Sequence, residues 1–269
     1  MRTLVHLSDL HFGRIHPPIL DPLVAFVGET KPDLVAISGD FTQRARTVEY
    51  IAARAFLDRI PFPKILVPGN HDVPLRNLFL RFVKSLDSYR RYICDDLQPF
   101  FADDEIAVAG VNTARALTWK DGRINRRQLA QLRECFQALK GEQTRIVVTH
   151  HPFDLPAGTR GEVVGRSRMA MITLAQCQVD MLLAGHFHIA DIGYTAKRYN
   201  MPGFSALIVS SGTSTSTRGR GGQSNSLNVI HIEPQKIVID RRVWAPDAQI
   251  FELFSSEEFH RSEHGWIRE

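Results

Sequence analysis

Ile65-Leu66-Val67-Pro68-Gly69-Asn70-His71-Asp72 is an apolar run that breaks, through a proline and a glycine, into side chains able to bind metals and move protons. A short apolar run closed by turn residues reads as a buried strand, so the polar cluster lies just past a strand end. The same arrangement recurs on both sides. Residues 4–7 run into Asp9-Leu10-His11, and 34–37 into Gly39-Asp40. Further on, 146–148 run into His150-His151-Pro152, and 181–184 into Gly185-His186-Phe187-His188. Ligands of open α/β sheets bind in the crevice beyond the carboxyl ends of the strands, so five clusters at five strand ends converge on one place. Their donors are nitrogen and oxygen without thiolate, a set that suits Mn, Fe, Zn or Ni better than a structural zinc. His186 and His188, two residues apart, cannot share a helix face, but on an irregular loop both rings reach neighbouring metals. Each cluster alone has an ordinary explanation; Gly-Asn-His-Asp, for instance, can be a turn capped by its own Asn and Asp. Five in this order make coincidence a poor account.

Around these clusters the chain alternates strand and helix. Residues 106–111 read as a further strand, while 48–57 and 129–139 carry apolar residues at helical spacing, with Asn125 as an N-cap for the second. That alternation predicts an α/β fold with helices packed on sheet. From about residue 191 the helical pattern stops, and 206–209, 227–232 and 237–243 read as strands. With no linker between the two parts, residues 1–269 read as one domain. The stretch 73–104 lacks a strand signal and reads as an inserted cap. Within it, 76–93 puts Phe79, Phe82, Val83, Leu86 and Ile93 on one helical face among Arg76, Arg81, Lys84, Arg90 and Arg91. It reads as packed helix, or as a basic-rimmed cap or peripheral membrane contact. The Ser/Thr/Gly-rich stretch 210–222 reads as a mobile hairpin loop; a sharper reading has Arg218 and Arg220 closing over an anionic substrate.

Composition narrows the partners. The chain has 269 residues, 33 Lys plus Arg and 29 Asp plus Glu, a net charge of +4 that permits anionic substrates but gives no strong nucleic-acid signal. No run of ~18 apolar residues predicts a membrane span. Three cysteines without a C-x-x-C pair, and no signal-like apolar run at the start, predict a cytoplasmic location. There is neither a Walker A sequence nor a G-x-S-x-G elbow.

The ordered set D-x-H, G-D, G-N-H-[DE], H and G-H-x-H resembles the calcineurin-like metallophosphoesterase superfamily, and its cyclic-nucleotide phosphodiesterase-like branch keeps the Asn-His pair found here. The resemblance runs from Asp9 to His188 and implies a four-layer α/β/β/α sandwich of two mixed sheets flanked by helices. By position it implies two divalent metal ions (Mn, Fe or Zn). Asp9, His11, Asp40 and His188 would hold one, with Asp40 bridging, and Asn70, His150 and His186 would complete the other. A hydroxide bridging the metals would attack phosphorus. His71 would stabilise the transition state or protonate the leaving oxygen, with Asp72 orienting it. His151, Arg14, Arg44, Arg218 and Arg220 are candidate substrate contacts. The expected activity is phosphodiester hydrolysis of a small phosphate ester, such as a cyclic nucleotide. No Arg or Lys lies within the five clusters to meet a monoester dianion. Two alternatives stand beside it: a nucleotide-sugar lipid pyrophosphatase of the same superfamily, and a non-catalytic metal-binding scaffold for protein interactions.

Overall fold

The computed structural model describes residues 1–75, 85–118, 120–219, 222–263 and 265–269. In chain order its first strands are β1 (Arg2–Leu7), β2 (Leu34–Ile37), β3 (Lys64–Leu66), β4 (Phe100–Ala102), β5 (Ile106–Gly110), β6 (Thr144–Val148) and β7 (Met181–Ala184). The rest are β8 (Asp191–Tyr194), β9 (Leu207–Ser210), β10 (Ser226–Glu233), β11 (Lys236–Ala245), β12 (Ile250–Ser262) and β13 (Gly265–Arg268). They form two mixed sheets, ordered β13-β12-β11-β10-β1-β2-β3 and β4-β5-β6-β7-β9-β8. β1, β2 and β3 run parallel, as do β5, β6, β7 and β9. β10 pairs antiparallel with β1, Arg2 opposite Ile232, so the strand-rich end of the chain shares a sheet with its beginning.

Three apolar layers hold this together. Leu4, Leu34, Ile65, Ile106, Ile146, Met181, Leu207, Phe259 and Trp266 fill the space between the sheets. The central parallel strands are buried on both faces, which is why β2 and β5 are continuous apolar runs rather than alternating ones. The outer face of the first sheet is covered by α1 (Leu20–Thr30), α2 (Thr47–Asp58) and α3 (Asp87–Tyr92). The second is covered by α4 (Arg126–Gln137) and α5 (Ser167–Gln176). The expected α/β/β/α sandwich is therefore the fold observed. At α4, Asn125 Oδ1 accepts from Gln128 N and Gln128 Oε1 accepts from Asn125 N, each at 3.0 Å, a reciprocal cap that fixes where the helix begins.

The cap segment is only partly described, since residues 76–84, with most of its anticipated apolar and basic face, lie outside the described residues. What is described is core. Leu86, Tyr89 and Ile93 are buried beneath α2, and the Tyr89 ring lies 5.7 Å from that of Phe41. Arg90 and Arg91 are exposed. Within 85–104 the described chain forms the packed helix α3 and then β4 (Phe100–Ala102), an edge strand paired with β5. The sequence carries no strand signal there, because three residues are too few to show an alternating pattern.

Candidate metal centre

Every parallel strand that precedes a motif ends at the same rim. Asp9 and His11 follow β1, Asp40 follows β2, and Asn70-His71-Asp72 form a single 3-10 turn after β3. His150 follows β6, and His186 and His188 follow β7. The main chain bends sharply to aim them. Asp9 (φ 53°), His11 (49°), Asp40 (54°), His186 (75°) and His188 (59°) all adopt the left-handed region. They are five of the ten non-glycine residues that do so among the described residues. Asp and His tolerate this region better than bulkier residues, yet each such position costs about 1–3 kcal/mol and persists where the surroundings over-determine it. Gly39 (φ 92°) faces the His150 ring so closely that a Cβ would lie 2.5 Å from its Nδ1. A Cβ on Gly69 would run into the Asp40 carboxylate.

The side chains meet in two groups. In one, His11 Nε2 and His188 Nε2 are 3.0 Å apart, and Asp9 Oδ1 lies 3.1 Å from His188 Nε2 and 3.6 Å from His11 Nε2. In the other, Asn70 Oδ1 lies 3.2 Å from His150 Nε2 and 3.0 Å from His186 Nδ1, and those two nitrogens are 3.3 Å apart. Asp40 Oδ2 faces both, 3.6 Å from His11 Nε2 and 3.4 Å from His150 Nε2. The other Asp40 oxygen accepts the His71 backbone N–H at 2.8 Å, which fixes the carboxylate for that shared position.

These residues fit a pair of divalent cations. Asp9 Oδ1 is buried and has no hydrogen-bond donor, a costly state that a cation removes. The outward nitrogens of two imidazoles donate to backbone carbonyls, His150 Nδ1 to Ser38 O (2.7 Å) and His188 Nδ1 to Arg218 O (2.8 Å). Those bonds fix the tautomer that turns the Nε2 lone pairs inward. Without metal, burial alone would raise both aspartates. His188, His11 and His150 around Asp9, and His150 and His71 around Asp40, instead hold these carboxyls well below the usual range. Burial pulls His150 down, but Asp40 and Asp9 outweigh it and raise it to about 9. Burial and the neighbouring His150 push His186 down to about 3. The centre thus presents two carboxylates to any cation that enters.

His151 lies close enough to His150 and His186 to complete a donor trio with them, but its nitrogens are already engaged. Nδ1 accepts from Thr113 Oγ1 (2.7 Å) and Nε2 donates to Lys120 O (2.8 Å), and the ring is buried against His186. Asn70 Oδ1 is the better third donor of that group. For the same reason His151 is not placed to touch a substrate.

His71 stands edge-on to His11, ring centroids 4.9 Å apart. Its orientation comes from Gln43, whose carbonyl accepts the Nδ1 proton at 2.8 Å, and not from Asp72 as the adjacency suggests. Consecutive residues on a tight turn point apart. The Asp72 carboxylate accepts from Thr42 N (2.9 Å), Thr42 Oγ1 (3.0 Å), Gly69 N (2.9 Å) and Phe41 N (3.2 Å), and so clamps the loops after β2 and β3 together. Burial, with Asp40 nearby, raises it to about 7 against those donors.

The hydroxyl-rich stretch is the largest departure from the sequence reading. Residues 211–216 are buried rather than a mobile hairpin. Thr213 Oγ1 donates to Asp9 O (2.7 Å), Thr215 Oγ1 to Leu10 O (2.6 Å) and Ser216 Oγ to Arg14 O (3.1 Å). Ser214 Oγ accepts from Ser8 N (3.0 Å), and Ser214 N donates to Ser8 O (2.9 Å). The stretch is a rail that holds the Asp9–His11 loop in its strained path. Just beyond it, the Arg218 guanidinium lies 3.0 Å from His71 Nε2 and 3.5 Å from Gln43 Oε1. Arg14 and Arg44 are exposed on neighbouring loops, and Arg220 lies outside the described residues. Gln43, Thr113, Thr213 and Thr215 carried no signal in a single sequence, because each acts through a partner distant along the chain or through its main chain.

The sequence model of the family described as calcineurin-like phosphoesterase matches residues 2–190. A glycerophosphodiester phosphodiesterase of Enterobacter lignolyticus is 28% identical over 177 residues, 58% of this chain and 58% of that one. The chain therefore matches less than two thirds of that relative's length. A Synechococcus protein named a probable cyclic nucleotide phosphodiesterase is 22% identical over 204 residues, 71% of this chain and 74% of its own. Among solved structures, a purple acid phosphatase from yellow lupin (Lupinus luteus) superposes with a TM-score of 0.72 at 12% identity. It covers 96% of this chain and 53% of that one, a likeness that bears on the fold alone.

Proposed function

Because this chain belongs to the calcineurin-like phosphoesterase family, we propose that it is a dinuclear metal-dependent phosphodiesterase acting on a small phosphate ester. The observation that carries this reading is Asp40 Oδ2, set between two otherwise separate donor groups at 3.6 and 3.4 Å. Asp9, His11 and His188 would hold one cation and Asn70, His150 and His186 the other. Bound there, two divalent cations supply Lewis-acid charge and activate water for attack on phosphorus. The relatives named as phosphodiesterases support the diester class.

The chain's own residues do the rest. The Gln43 carbonyl keeps a proton on His71 Nδ1 and so leaves Nε2 on the side of the site. The His71 amide and the Asp72 clamp hold Asp40 at its shared position. His151, locked by Thr113 and Lys120, supports the His186 ring from behind. Among the described residues, no helix is long and apolar enough to cross a membrane.

A substrate panel tests the proposal. Protein loaded separately with Mn, Fe and Zn would be offered aryl mono- and diesters, cyclic nucleotides and a UDP-sugar lipid. Bis-aryl phosphate or a cyclic nucleotide should be turned over faster than aryl monophosphate. Full metal content with no turnover of any ester would overturn the enzymatic reading and favour the binding scaffold. A faster monoester would overturn the diester assignment.

A further inference from the structure

Arg218 sits where the hydroxyl rail leaves the core, and it touches the centre twice. Its carbonyl accepts the Nδ1 proton of His188 at 2.8 Å, and its guanidinium donates to His71 Nε2 at 3.0 Å. Its amide donates to Ser216 Oγ at 3.1 Å, which ties the residue to the rail behind it. Because the Nδ1 proton of His71 is committed to Gln43, Nε2 carries the lone pair, and the guanidinium covers it. At that edge of the site the arginine, not the imidazole, holds the N–H groups. An imidazole nitrogen and the Gln43 carboxamide oxygen are neutral acceptors. An anionic phosphoryl oxygen is a stronger one, since a guanidinium matches phosphate in geometry and a charge-assisted bond is roughly twice as strong as a neutral one.

We propose that Arg218 is the specificity-determining cation of this site: it transfers its N–H groups from His71 to a non-bridging oxygen of the substrate's phosphoryl group. The same movement uncovers the lone pair of His71 Nε2 within the site, free to accept a proton. The inference rests on the phosphoesterase reading above and deepens it. The charge absent from the five sequence motifs is delivered by a loop 30 residues past His188, beyond β9. The diester class therefore rests on the named relatives and not on a want of positive charge at the site. Gln43 serves both stations, its carbonyl orienting His71 and its carboxamide lying 3.5 Å from the guanidinium.

The test compares Mn-loaded wild type with Arg218→Gln and Arg218→Lys. It measures metal content, the affinity for inorganic phosphate by calorimetry, and KM and kcat on the best ester of the panel. Arg218→Gln should keep its metals, because the carbonyl on His188 is main chain. Its phosphate Kd and its KM should rise about 10-fold or more, the loss expected for a bond to a charged group. Arg218→Lys should recover part of that loss, as a point charge lacking the fork. Unchanged phosphate affinity and KM in a metal-replete Arg218→Gln protein would overturn the proposal. Loss of metal in that variant would also overturn it, by making the Arg218 side chain, and not only its carbonyl, a support of the metal ligands. If wild type hydrolyses no ester but Arg218→Gln still weakens phosphate binding, the enzymatic reading fails, and with it the transfer to a substrate, while the Arg218 contact to phosphate stands.

Discussion

Asp72→Asn separates a structural from a chemical role for the carboxylate beside His71. Asp72 is 1% exposed and accepts four hydrogen bonds, from Thr42 N, Thr42 Oγ1, Gly69 N and Phe41 N. An asparagine amide keeps one oxygen, enough for the two donors of Thr42. Its NH2 then faces the N–H groups of Gly69 and Phe41, donor against donor. Each buried donor left unpaired costs about 1–3 kcal/mol, so the variant should lose roughly 2–6 kcal/mol, a large share of a typical domain's stability of ~5–15 kcal/mol. The loss should be local in effect too, since these donors lie on the loops bearing Asp40 and Asn70. Urea denaturation of the metal-free protein measures the first effect, and elemental analysis of reloaded protein the second. A lower midpoint together with reduced metal content is expected. Wild-type stability and full metal content, with turnover lost, would refute the clamp and place Asp72 in the chemistry.

Asp40→Asn should reduce metal content below two per chain and abolish turnover, because a neutral amide bridges two cations poorly; near-normal metal and rate would show that Asp40 does not bridge. His71→Ala should lower kcat by roughly 10²–10⁴, the range for a lost acid–base group, with metal content intact, and metal loss would instead make His71 a ligand. His6, buried between the sheets with Nε2 2.9 Å from Ser38 Oγ, is pushed down to about 3 by burial. The unfolded chain takes up that proton near ~6.5. Between the two values the unfolded state binds more protons, so metal-free stability falls as pH drops, by up to ~1.4 kcal/mol per unit. Asp72, raised to about 7, opposes this trend and His186, lowered to about 3, adds to it, so the readout is the difference between two proteins. Urea midpoints from about pH 7 to 5 should fall more, or rise less, in wild type than in His6→Asn, and equal slopes would remove His6 from the account.

The donor positions were legible because each is announced locally, by an apolar run and then a polar cluster within about four residues. Asn125 as the start of α4 was legible for the same reason, as a cap and its partner lie three residues apart. What misled was composition standing in for contact. Residues 211–216 look disordered by residue type, but their hydroxyls bond to carbonyls of Asp9, Leu10 and Arg14 some 200 positions earlier, and no local pattern announces such partners. Adjacency misled at Asp72, where neighbours in sequence face different loops, while the residue that orients His71, Gln43, does so through a main-chain carbonyl. The Leu20–Thr30 helix is not among the elements read from the sequence; its Pro22 lies in the first turn, where a proline needs no N–H partner.

The left-handed bends at Asp9, His11, Asp40, His186 and His188 bear on whether this centre could be transplanted. Writing seven donor side chains onto the strand ends of another sandwich would not reproduce it, because regular extended or helical backbone aims Cβ vectors elsewhere. A recipient would also need the bends themselves, a glycine beneath the His150 ring, and the hydroxyl rail that keeps the first bend from relaxing. The portable unit is a set of loops with their supports, and its smallest complete form draws on segments 204 and 205 positions apart in the chain.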